Sequence, residues 1–154
     1  MSSVEIREWF ERRTLSELLG YGGLLPFGGA LLGALFGFPS AVAFFISYSA
    51  MILVFMSGAC WGVAQARTEQ AGKTPLLLSI GIFWLAMAAW LLAAVVPDGV
   101  TLPMLLVGFL GLYALETRSV FQEAYDARYW RLRTVLTSVV AAAHVLMFFL
   151  VPVA

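Results

Sequence analysis

The run from Ser47 to Gln65, SYSAMILVFMSGACWGVAQ, is the longest apolar stretch of the chain and carries no charged side chain. It is long enough to cross a bilayer as a single helix. A chain of 154 residues has too much surface for its volume to hide many such runs in a soluble core. Hydrophobic residues make up 62% of it and charged residues 12%, about half the charged share of soluble domains. The solvent for most of this chain is therefore lipid. The run reads as the central helix of a small membrane bundle in which other helices pack around it.

Four further apolar runs complete an all-α reading with five membrane spans, at about 18–38, 41–66, 75–96, 100–115 and 134–153. Pro26 lies inside the first and predicts a kink near Leu25, because proline removes a helical hydrogen bond. Pro39-Ser40 and Pro97-Asp98-Gly99 read as turns. Residues 1–16 read as an amphipathic surface helix, with Ile6, Trp9 and Phe10 on one face. Residues 116–133 read as a second one, with Phe121, Tyr125, Tyr129 and Leu132 at helical spacing. Gly29, Gly33 and Gly37 recur every fourth residue, and Gly58 and Gly62 do so in the second span. Small residues at that spacing are expected where membrane helices approach closely.

Charge gives the orientation. With five spans, all nine Lys and Arg residues fall on one side and none on the other. Basic residues in short loops stay cytoplasmic, so the N-terminus is expected inside and the C-terminus outside. The formal net charge is zero, which offers nothing for nucleic acid. The single cysteine, Cys60, excludes an internal disulfide or a cysteine metal framework. The first apolar run follows Glu5, Glu8, Glu11 and Glu17 and is not expected to be a cleaved signal peptide.

Few groups offer chemistry. His144, the single histidine, falls mid-span and shares a helical face with Arg133 and Thr137. An ionisable group inside a membrane is a functional candidate by default. Its roles are a hydrogen bond to a quinone or lipid, a proton relay, or a structural bond across to another helix. One histidine does not supply the paired axial ligands of most membrane haems, so no cofactor and no metal is expected. Glu116 closes the fourth span at the depth of Arg133, which suggests either an ion-paired staple of helix ends or a headgroup site. Cys60 reads as a buried, inert thiol. No catalytic constellation is present.

Three stretches carry a resemblance. They are Leu25-Pro26-Phe27, then Tyr48-x-Ala50-x-Ile52-Leu53-x-Phe55-x-Ser57-Gly58-Ala59-x-Trp61-Gly62, and Tyr129-x-x-Leu132-Arg133-x-x-Leu136-Thr137. Their order and spacing resemble an uncharacterised family of small bacterial membrane proteins related to mitochondrial transmembrane protein 69. That resemblance implies a multi-span helical protein of the bacterial inner membrane and carries over no catalytic residue. Its motif residues direct attention to the cytoplasmic boundary, where Trp61, Glu116, Tyr129 and Arg133, with His144 deeper, are the candidate ligand-binding residues. The first expectation is a non-enzymatic accessory or assembly subunit of an inner-membrane complex. The alternative is binding of a quinone or lipid between spans two, four and five.

Overall fold

The computed structural model describes residue 15 and residues 17–67, 69 and 72–151, the side chains of residues 119 and 120 excepted. Nearly all of the expected surface helix over residues 1–16 lies outside them, as do residues 152–154. The described residues form α1 (Leu25–Leu35), α2 (Ala41–Ala66), α3 (Thr74–Leu92), α4 (Asp98–Glu116), the short α5 (Ser119–Gln122) and α6 (Ala127–Leu150). Among the described residues five helices are long and apolar enough to cross a membrane, the first of them running from Glu17 through α1. Large apolar side chains face outward along them, among them Phe55, Leu77 and Phe149. An outer surface of this kind suits lipid and not water.

The first span breaks where proline dictates. Residues 17–22 are helical, a turn follows at Gly23 and Leu24, and α1 resumes at Leu25 with Pro26 in its first turn. The Leu24 N–H bonds the Tyr21 carbonyl at 3.0 Å, three residues back and not four. The Tyr48 hydroxyl of α2 donates to the Gly23 carbonyl at 2.9 Å and fastens the break to the central helix.

Within the chain the glycine stripe packs only in part. A Cβ at Gly33 would stand 3.2 Å from the Ala41 Cβ, but Gly29, Gly58 and Gly62 face open space. Gly37 is a helix cap and not a packing residue. Its φ is +75°, its N–H bonds the Ala34 carbonyl at 3.0 Å, and the Phe38 N–H bonds the Gly33 carbonyl at 2.9 Å. This is the Schellman closure of α1, which needs a left-handed residue. Gly37→Ala is expected to cost about 1 kcal/mol, the penalty of a Cβ in that conformation. Thermal unfolding in detergent micelles reads the loss, and an unchanged midpoint would mean that the turn rearranges freely.

Helix α2 packs against α1, α3 and α4, while α6 packs against α1 and α4. The pair α2 and α6 is not among the closely packed ones. A space is therefore left between them, walled by the first span on one side and α4 on the other. The connector before α6 differs from the expected continuous surface helix. The Asp126 side chain accepts the Tyr129 N–H at 2.9 Å and starts α6 at Ala127. An N-cap of this kind satisfies a helix-end donor and competes with continuation from the preceding turn. Arg128, Tyr129, Arg131 and Arg133 consequently ride on the first turns of the last spanning helix.

Candidate functional site

Glu116 is the last residue of α4 and is 1% exposed. Both its position and its burial are unfavourable for a carboxylate. A helix C-terminus carries partial negative charge, and desolvating an ion costs several kcal/mol. Its surroundings offset this. Arg133, 3% exposed, forms an ion pair from Nε to Glu116 Oε2. Glu116 Oε1 accepts from the Cys60 thiol at 3.3 Å and from the Tyr129 hydroxyl at 3.4 Å. Tyr129 is itself held by stacking on Tyr125, with ring centroids 3.9 Å apart. Burial raises the Tyr125 phenol above its ordinary pKa, so it stays protonated. One turn before Glu116, the Thr134 hydroxyl donates to the Trp130 carbonyl at 2.8 Å and accepts from Tyr113 of α4 at 2.9 Å. That bond fixes the rotation of α4 against α6.

Arg133 is not fully used by the pair. Nη1 reaches the Met56 sulfur at 3.3 Å, a weak acceptor. Nη2 has no hydrogen-bond partner, and neither has the buried Thr137 Oγ1 one turn further along α6. Both residues stand in the wall of a cavity of about 440 Å³ that fills the space between α2 and α6. The rest of that wall is apolar and includes Phe27, Met56 and Phe109. Leu19 and Phe55 also line it while being 66% and 73% exposed, so it opens sideways on the outer face of the bundle. Small-molecule sites occupy about 300–1,000 Å³ and combine apolar walls with a few polar groups. This cavity fits that description.

A second, polar pocket of about 510 Å³ lies at the end of the bundle, lined by Glu17, Glu123, Tyr125, Asp126, Arg128 and Tyr129. Arg128 pairs with Glu17 there at 2.5 Å. Tyr129 borders this pocket and Arg133, one turn on, borders the apolar cavity. The Glu116 cluster is thus the partition between a polar mouth and an apolar chamber.

Of the expected site residues, Glu116, Tyr129 and Arg133 come together. Trp61 does not join them: it is 43% exposed, because successive helical residues point about 100° apart and Cys60 takes the inward direction. His144 is buried elsewhere. It lies roughly 16 Å along α6 from Arg133, with its ring centroid 4.9 Å from Phe45, 5.4 Å from Phe109 and 6.1 Å from Phe27. Its Nδ1–H donates to the Val140 carbonyl at 2.8 Å, which leaves Nε2 as an unpartnered acceptor. Phe27 and Phe109 both touch it and line the cavity, so the imidazole sits one layer behind the wall. Met56 was not among the expected residues, and Cys60 was expected only as a buried, inert thiol. The signal for Cys60 was its inward register with Ser57 and Ala64, all three of which are buried.

No curated protein and no solved structure matches the chain. A family model described as a protein of unknown function (DUF3429) matches residues 13–149, which takes in the first four spans, all but the last residue of the fifth and every member of the Glu116 cluster, and the chain belongs to that family.

Proposed function

We propose that the protein binds a small apolar molecule of quinone or lipid type in the chamber between α2 and α6. The ligand's polar group takes the donors of Arg133 and Thr137. The observation that carries this reading is two residues one turn apart in the wall of an otherwise apolar cavity, each with a buried, unpartnered polar atom. Buried polar groups are rarely left unpaired, because each costs about 1–3 kcal/mol. A ligand that accepts from them removes that cost and fills the chamber at the same time. An accessory role in a larger inner-membrane complex would call for a face that a partner covers, and no observation singles one out.

The ion pair of Arg128 with Glu17 and the approach of Arg67 to Glu123 at 3.8 Å bring the ends of the first, second and fifth spans to one end of the bundle. That arrangement supports an N-terminus on the cytoplasmic side, with the polar mouth facing the cytoplasm. The resemblance to relatives of mitochondrial transmembrane protein 69 supports a bacterial inner membrane as the setting. Native mass spectrometry of protein extracted gently from its own membrane tests the reading. A stoichiometric small mass is expected, with affinity for it falling about fivefold in Thr137→Val, the worth of one neutral hydrogen bond. A bare chain, or a protein partner without any small mass, would overturn it.

A further inference from the structure

The chamber has polar capacity but no net charge to offer. Arg133 is the one charged residue among the described residues lining it, and Glu116 already compensates that charge. Glu116 in turn accepts from donors on both oxygens: Arg133 on Oε2, Cys60 and Tyr129 on Oε1. What remains unspent is hydrogen-bonding capacity alone, at Arg133 Nη2 and Thr137 Oγ1.

We propose that this site selects a neutral carbonyl on an apolar body and rejects carboxylates and phosphates. The proposal rests on the chamber being a ligand site. A carboxylate ligand would bring a second anion beside Glu116 with one guanidinium to serve both. Like charges in a desolvated site oppose each other strongly, so the ligand would have to enter protonated or stay out. A neutral carbonyl meets no such opposition. It accepts a charge-assisted bond from Nη2, which is stronger than a bond between neutral groups, and a second bond from the Thr137 hydroxyl. Two sources share this chemistry: the ring carbonyl of a quinone and the ester carbonyl of an acylglycerol.

Glu116 then has a role beyond stapling helix ends. It sets the sign of the ligand. Glu116→Gln keeps the shape and an acceptor for Arg133 but leaves the guanidinium uncompensated, which turns the chamber into an anion site.

The test compares three probes on purified protein in micelles at about pH 8, where a fatty acid is ionised: decylubiquinone, dioctanoylglycerol and decanoate. Wild type is expected to bind one of the neutral probes at least about tenfold more tightly than decanoate. Which neutral probe wins identifies the source of the carbonyl. In Glu116→Gln the order is expected to reverse, with decanoate raising the unfolding temperature as a ligand of the native state. Wild type that binds decanoate as well as the neutral probes overturns the charge selection while leaving the chamber as a binding site. Wild type that binds none of the three overturns the chamber reading itself. The wild-type ranking needs no variant, so it decides the matter even where Glu116→Gln does not fold.

Discussion

Arg133→Met alone is expected to destabilise the protein by about 3–5 kcal/mol, and Glu116→Leu alone by as much, while the double substitution returns close to wild type. Each residue is at most 3% exposed, so removing one partner strands an ion that neither lipid nor water can solvate. Removing both takes the desolvation cost away together with the attraction. The recovery is expected to fall short by about 1 kcal/mol, because the Tyr129 hydroxyl loses its acceptor. Denaturant titration of the four proteins of the cycle in micelles gives the coupling directly. Single substitutions that each cost less than about 1 kcal/mol would mean that the pair is hydrated, and the charge argument for the chamber would go with it. The double variant also separates folding from function. It is expected to stand as a bundle and to bind none of the three probes, since the guanidinium donor is gone.

Much of this was legible in the sequence, and the reasons are physical. Helices in lipid must satisfy their own backbone, so uncharged runs punctuated by Pro39, Pro97 and charged loops read directly as spans. The inward stripe of Arg133, Thr137 and His144 followed from helical periodicity, and all three are buried. The meeting of Glu116 with Arg133 followed from their common depth. Three features were not legible. The aromatic spacing of Phe121, Tyr125 and Tyr129 mimics one continuous helix, and only the Asp126 cap shows that the chain breaks there. Gly29, Gly58 and Gly62 carry the same spacing as a packing seam, but which way a helix face turns is a tertiary property. His144 shares a face with Arg133 but not a compartment, because Phe27 and Phe109 from other spans close between it and the chamber.

The close contact that spacing did not reveal is at Gly108. A Cβ there would stand 2.4 Å from Leu53 Cδ2 and 3.6 Å from Leu85 Cδ2, so α4 meets both α2 and α3 at that level. Leu53 is fully buried, and its branch has to leave a native rotamer to make room. Gly108→Ala is therefore expected to cost about 1–3 kcal/mol by overpacking, against a helix preference that favours alanine by about 1 kcal/mol. Leu53→Ala alone is expected to cost about 2–5 kcal/mol as a cavity. In that background the clash is absent, so Gly108→Ala should cost nothing or stabilise. Additive losses in the cycle would show that α4 simply moves away. The distinction bears on the ligand as well. The neighbouring Phe109 forms part of the chamber wall, and α4 shifted outward would enlarge the chamber. Clash confined to Leu53 leaves probe affinities unchanged in Gly108→Ala, whereas a displaced α4 alters them together with stability.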